Sequence, residues 1–466
     1  MPTILHIGLG SFHRAHQAVY LQRLHDAGDT TWTITAGNTR PDMADTIAAL
    51  VAQGGRYTLE TVTPAGLRRY ETIRAITRVI PFAQGLPDLV AAGTDADTRI
   101  VSFTVTEAGY ALDAQDRLDL AALDIVRDLA AARAGQPGST VYGVLTAILR
   151  ARRAAGAGPV TLLNCDNLRH NGDRARSGLL QFIAALGDDA LAGWVQQHTT
   201  SPNAMVDRIT PRPTPDVAQR LLAATGVADG AALMGESFIQ WVIEDRFAAG
   251  RPAWERVGVE LVADVQPYEE AKIRLLNATH SCIAWAGTLA GMAYIHEGTH
   301  QPTIRAWAYA YVTDDVIPCL HRPDAPSPVD LAAYRDVVLD RFGNPAIQDT
   351  NQRVAMDGFS KIPGFIRPTI AERLARNETI DSVAMLPALF LAFLQRWHRG
   401  QIAYTYQDQA MDQALAHALC AAADPAAAFC ANTQLWGPVA GDARLVAAVR
   451  AAGMRVDAFV AGLPGA

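Results

Sequence analysis

The segment PYEEAKIRLLNATH, residues 267–280, holds a lysine, a glutamate, an asparagine and a histidine in close succession. Lys272 is one of 2 lysines in a chain with 40 basic residues; the other is Lys361. Arginine keeps its proton in proteins, whereas a desolvated lysine can give and take one near neutral pH. A lysine kept beside Glu269, Asn277 and His280 is therefore a candidate acid/base. Read as one α-helix opening after Pro267, at about 100° per residue, the segment places all four on one side. Ile273, Leu276 and Ile283 then supply the packing between them.

Such a lysine needs a scaffold, and the bulk properties narrow the choice. The chain has 466 residues, half of them apolar, and a net charge of -7. That length accommodates two or three domains. No Lys/Arg cluster marks a nucleic-acid surface, and no apolar run reaches membrane-spanning length. The N-terminus opens on strand-like residues without a signal-peptide pattern. Cys165, Cys282, Cys319, Cys420 and Cys430 are scattered, with no Cys-x-x-Cys pair. They read as free thiols of a cytoplasmic protein, and no metal site is expected.

The first half alternates strands and helices. TILHIGLG (residues 3–10) reads as a buried strand ending in Gly8-Leu9-Gly10, and residues 11–28 continue as a helix. A strand, a Gly-x-Gly turn and a helix N-terminus make a dinucleotide phosphate site: glycine lets the backbone approach a pyrophosphate, and the helix dipole favours its charge. His13 stands where the usual fingerprint has its third glycine. A second strand, TWTITAGN, ends at Asn38, where an acidic ribose contact is usual. Asn38 or Asp42 could hold the ribose hydroxyls, and Arg40 would favour a 2′-phosphate. Both coenzymes stay open, with NAD ahead. RIVSFTVT (99–106) and PVTLLNCDN (159–167) are further strands, which put Thr106, Glu107 and Asn167 at strand ends. SPNAMVDRITP (201–211) reads as an ordered turn carrying Asp207 and Arg208, and GVELVADV (258–265) as a last strand. The alternation predicts an α/β class with a mainly parallel sheet. From residue 267 the pattern turns helical; MLPALFLAFLQRW (385–397) reads as a buried helix, and residues 351–363 carry Arg353, Lys361 and a turn at Asp357-Gly358.

Taken in order, LHIGLGSFHRAHQ, FTVTE, LLNCDNLRHNG, PNAMVDRITPRP, PYEEAKIRLLNATHSCIAWAG, QDTNQRVAMDGFSKIP and MLPALF resemble the polyol-specific long-chain dehydrogenases, the mannitol dehydrogenase family. The resemblance runs nearly end to end. It implies a Rossmann-type NAD-binding domain over residues 1–266, a mostly α-helical substrate and catalytic domain over 267–466, and a cleft between them. It also implies zinc-independent oxidation of a sugar alcohol with NAD. Carried over by position, Lys272 is the general base, Asn167 and Asn277 hold the reacting oxygen, His280 orients the substrate, and Glu269 relays the proton. Asp207, Arg353 and Lys361 contact the substrate. Gly8, Leu9, Gly10, Ser11, Phe12 and His13, with Asn38, Thr106 and Glu107, serve the coenzyme. D-arabinitol going to D-xylulose is the first substrate expected, and D-mannitol going to D-fructose the second. A uronate is a third, because Arg353 and Lys361 could hold a carboxylate. The family's habit implies a monomer or weak oligomer. A rival lies in Tyr268-x-x-x-Lys272, the spacing of short-chain dehydrogenases, in which the tyrosine is the acid/base. Those are single compact domains with a different glycine pattern.

Overall fold

A computed structural model describes residues 1–113 and 115–463, without the side chain of Glu107. Its strands in chain order are β1 (Thr3–Ile7), β2 (Thr33–Gly37), β3 (Tyr57–Val62), β4 (Arg68–Ile73), β5 (Ile76–Ile80) and β6 (Thr98–Phe103). They continue as β7 (Val160–Asn164), β8 (Thr199–Thr200), β9 (Ala204–Asp207), β10 (Leu233–Glu236), β11 (Gln240–Glu244) and β12 (Glu260–Val262). The chain divides into two compact units, one of Met1–Val62 with Leu67–Gln266, the other of Thr63–Gly66 with Pro267–Ala466.

In the first unit, six strands form one sheet in the order β5-β2-β1-β6-β7-β8. Every neighbouring pair in it is parallel. The strand residues are apolar toward both faces: Ile4, Ile34, Ile100 and Leu163 enter one core, Leu5, Val101, Phe103 and Leu162 the other. A parallel sheet buried on both faces requires this run of apolar residues. Register aligns the strand ends. Ile7 stands opposite Gly37 and Phe103, and Phe103 opposite Asn164. Four strands thus end in line, and the loops carrying Gly8, Asn38, Thr106 and Asn167 leave from one edge. The strand order reverses at β1, where sheets of this class place their ligands.

Two three-stranded sheets complete this unit, β10-β3-β4 and β12-β11-β9. The turn expected at residues 201–211 contains a strand instead. β9 pairs with β11, and Asp207 stands opposite Gln240. Two prolines and an Asp-Arg pair suggest a turn, but Ala204–Val206 is buried and finds a partner strand distant in sequence.

The second unit is built from helices. Met385–His398 packs against Ala278–Leu289 and Ala443–Ala461, and its apolar residues are buried nearly all round. Among the described residues, three π-helical turns interrupt the unit, at Lys272–Asn277, Val312–Val316 and Ile362–Ile366. Among the described residues, no helix is long and apolar enough to cross a membrane. All five cysteines are free thiols.

Candidate active site

The glycine turn of the first unit is committed to itself. Gly8 sits at φ +101°, where a Cβ would lie 3.2 Å from the Thr104 carbonyl oxygen. Its N–H donates to Gly37 O (2.9 Å), Gly10 N–H donates to Gly8 O (2.6 Å), and Leu9 N–H donates to Asn38 Oδ1 (2.6 Å). Asn38, one of the two residues expected to hold the ribose hydroxyls, therefore braces the turn with its side-chain oxygen. Among the described residues, the N–H groups of this turn left without a partner are those of Ser11, Phe12 and His13. These three donors suit an anion better than the glycines do.

The helix after the turn departs from expectation. It spans only Ser11–Ala15, breaks at His16 (φ -127°, ψ -84°) and resumes over Gln17–Asp26. The dipole of so short a helix is small, so the positive potential at this end comes mainly from the three N–H groups. His13 fills the third-glycine position by stacking on His6, ring centroids 3.4 Å apart. His6 Nε2 donates to Gly8 O (3.1 Å), and His13 Nδ1 donates to Gln17 Oε1 (3.2 Å). Burial pushes the His6 imidazole down to about 3, against the small opposing pull of the Gly8 bond, and burial with the neighbouring His6 pushes His13 well below its ordinary value. Both rings are neutral at physiological pH.

At the adjoining strand ends, Thr106 is exposed and precedes the 3-10 turn Glu107–Tyr110. The Glu107 side chain lies outside the described residues. Asn167 follows β7 and is exposed, whereas Asp207, at the end of β9, is buried. Arg208 does not simply pair with its neighbour; its guanidinium donates to the Glu236 carbonyl (2.9 and 2.7 Å) and to Ala15 O. Arg40 lies 3.9 Å from Asp124, both well exposed.

In the second unit Lys272 and Glu269 are buried, at 8% and 4% exposure. The single α-helix expected here is α-helical over Gln266–Ala271 and Ala278–Leu289 but π-helical over Lys272–Asn277. The i→i+5 bonding of a π-turn is wider than an α-turn. It swings Asn277 and His280 away from the positions that 100° per residue assigns them relative to Lys272. Lys361 immediately precedes another π-turn, Ile362–Ile366, which packs against that of Lys272. Both lysines of the chain thus stand at the openings of two packed π-turns. Such irregular turns concentrate at functional sites.

His280, Arg353 and Lys361 gather around a residue that sequence reasoning missed, Asp349. His280 Nε2 lies 3.2 Å from Asp349 Oδ2, off the line of an aligned hydrogen bond. Arg353 grips the same carboxylate with two N–H groups, Nε at 2.6 Å from Oδ1 and Nη2 on Oδ2. Burial pushes Asp349 up, but His280 and Arg353 together outweigh it and hold the carboxyl well below its usual range. Burial lowers His280 against the pull of Asp349. Phe342 stacks on the imidazole at 4.3 Å between centroids. The Lys361 ammonium donates to Val354 O, and burial brings its pKa to about 8, with Asp357, Asp408 and Asp349 opposing the drop. The one signal in the sequence is that Asp349 precedes Arg353 by four residues; nothing local points to Phe342 or Asp408. Among the described residues, no three His, Cys, Asp or Glu side chains come together as a metal site.

Residues 2–256 match the mannitol dehydrogenase Rossmann domain and residues 264–456 the mannitol dehydrogenase C-terminal domain. The D-arabinitol 4-dehydrogenase of Ralstonia nicotianae is 61% identical over 98% of this chain and 97% of its own. That of Klebsiella pneumoniae is 52% identical over 96% of each. Among solved structures, the mannitol 2-dehydrogenase of Pseudomonas fluorescens, in ternary complex with NAD and D-mannitol, superimposes with a TM-score of 0.83 at 34% identity. It covers 99% of this chain and 94% of that one.

Proposed function

The chain belongs to the mannitol dehydrogenase family, and from that premise we propose that it is an NAD-dependent polyol dehydrogenase oxidising D-arabinitol to D-xylulose. The observation that carries the choice of polyol is the unbroken likeness to two D-arabinitol 4-dehydrogenases over nearly the whole chain. The coenzyme is supported by the NAD in the mannitol 2-dehydrogenase complex of like fold. It is also supported by the glycine turn, whose positive φ at Gly8 and three uncommitted N–H groups fit a pyrophosphate.

NAD supplies the acceptor for the hydride that leaves the alcohol carbon. The hydroxyl on that carbon must lose its proton, and the neutral amine of Lys272 accepts it as general base. The side-chain amides of Asn167 and Asn277 donate to the oxygen as negative charge develops, a role worth about 3 kcal/mol per donor. Glu269 passes the proton onward. With Nε2 turned to Asp349, His280 offers Nδ1 to a neighbouring hydroxyl and so selects which carbon reacts. Arg353, Lys361 and Asp207 hold the remaining hydroxyls. In ketose reduction the protonated lysine is the acid.

A panel of polyols against NAD and NADP, followed by absorbance of the reduced coenzyme, tests the reading. D-arabinitol with NAD is expected to give the highest kcat/KM. D-mannitol ahead of D-arabinitol would move the assignment to a mannitol 2-dehydrogenase. No turnover of any polyol with either coenzyme would overturn it.

A further inference from the structure

Beneath the exposed Asn167 lies a buried polar cluster that the proposed chemistry does not use. Asp166 Oδ1 accepts the Leu168 N–H at 3.3 Å, closing a ring across Asn167. Its other oxygen, Oδ2, accepts the Tyr110 hydroxyl, and that hydroxyl accepts in turn from Asn164 Nδ2. Tyr142 donates to the Tyr110 carbonyl at 2.9 Å. Asn171 Nδ2 donates to the Asp166 carbonyl (3.2 Å) and to Ala204 O (2.8 Å). Tyr110, Asn164 and Asn171 are fully buried, and Asp166 is 6% exposed.

A carboxylate in such a place is expensive unless its lone pairs are filled. What the carboxylate does is fix two strand-end loops to each other. Tyr110 closes the 3-10 turn after β6, and Asp166 opens the loop after β7. The main chain is held on both sides of the exposed Asn167, at Leu168 N–H and at the Asp166 carbonyl.

We propose that Asp166, oriented by Tyr110, is a positioning residue for the Asn167 amide, holding its N–H donor where the reacting oxygen charges. This rests on the role given to Asn167 above. Preorganised donors lose their value when they must be reoriented during reaction. Burial brings the Asp166 carboxyl up to about 6, and the hydrogen bonds from Tyr110 and Leu168 oppose that rise.

A double-mutant cycle with purified enzyme tests this. Asn167→Ala is expected to lower kcat about a hundredfold, the value of one lost oxyanion donor. Asp166→Ala is expected to lower kcat about thirtyfold, yet to cost no more than about twofold when Asn167 is already alanine, because residues that act as one unit are not additive. Tyr110→Phe removes one oxygen from a packed ring and is expected to lower kcat about fivefold. In all three variants the NADH dissociation constant stays within about twofold of wild type, which separates lost positioning from general damage. Asp166→Asn keeps an acceptor for Leu168 N–H and recovers most of the kcat lost in Asp166→Ala. Additive losses in the cycle, or wild-type kcat in both Asp166→Ala and Tyr110→Phe beside a crippled Asn167→Ala, would overturn the positioning role alone. Wild-type kcat in Asn167→Ala would remove the oxyanion role itself and the positioning role with it.

Discussion

Asp349 faces His280 across 3.2 Å while Arg353 holds its carboxylate in a two-pronged grip. The carboxylate thus ties a helix-borne imidazole to an exposed guanidinium. Replacing it with a neutral amide, Asp349→Asn, frees the guanidinium and lets the ring turn. KM for the polyol is expected to rise about tenfold with a smaller change in kcat, the signature of lost substrate binding. Linkage sets the pH dependence. The folded-state pKa of Asp349 lies below its unfolded value, so its stabilisation is present above about pH 4 and is lost as pH falls through the folded value. The gap in Tm between wild type and Asp349→Asn should be flat from neutral pH to about 5 and shrink below about 4. A gap that widened in acid would contradict the ion pair.

Lys361 gives a slope of the same sign in a higher pH window, here because burial disfavours its charged form. Its folded-state pKa of about 8 lies below the ordinary 10.5. Below pH 8 both folded and unfolded chains hold the proton, and the burial penalty is full. Between about 8 and 10.5 the folded chain sheds its proton first, so this group's contribution to stability rises with pH. Tm of wild type relative to Lys361→Gln should therefore move in favour of wild type between pH 8 and 10. If the ammonium holds a substrate hydroxyl, KM for the polyol rises over the same window in wild type and stays flat in Lys361→Gln. Steady-state kinetics of both proteins across that window check this.

Lys272→Ala removes the proposed base. Turnover is expected to fall at least about a hundredfold, with the NADH dissociation constant little changed. Tyr268→Phe is expected to alter kcat by less than about threefold, whereas a tyrosine acid/base would lose nearly all activity. Near-normal turnover of Lys272→Ala across the pH range would rule the lysine out.

Gly8→Ala places a side chain where φ is +101° and a carbonyl oxygen stands 3.2 Å from the new Cβ. Such strain costs about 1–3 kcal/mol, and the turn relieves it by moving. NADH binding, followed by fluorescence titration, is expected to weaken about tenfold or more. Unchanged affinity would show that Gly8 is not part of the coenzyme turn.

Much of the fold is legible in the sequence because it is local. β1, β2, β6 and β7 stand out as apolar runs bounded by glycine or polar residues, and Met385–His398 as an apolar helix. β4 and β5 give no such signal, because half-exposed strands such as Arg68–Ile73 carry charged residues and resemble loops, and β3, though buried, mixes Thr58, Glu60 and Thr61 among its apolar residues. β9 reads as a turn, because its pairing with β11 lies outside any local window.

Residue chemistry and order were enough to establish that a lysine, two asparagines and a histidine were available, that glycine was required at the first turn, and that the family was that of the mannitol dehydrogenases. Tertiary structure alone decided that Lys272 opens a π-turn, that Asn38 braces Leu9 instead of standing free, and that Asp349 gathers His280 and Arg353. The reason is physical. Glycine torsion and apolar periodicity are properties of neighbouring residues. A π-turn, a buried carboxylate and a shifted lysine are set by packing and desolvation among residues that the chain keeps far apart.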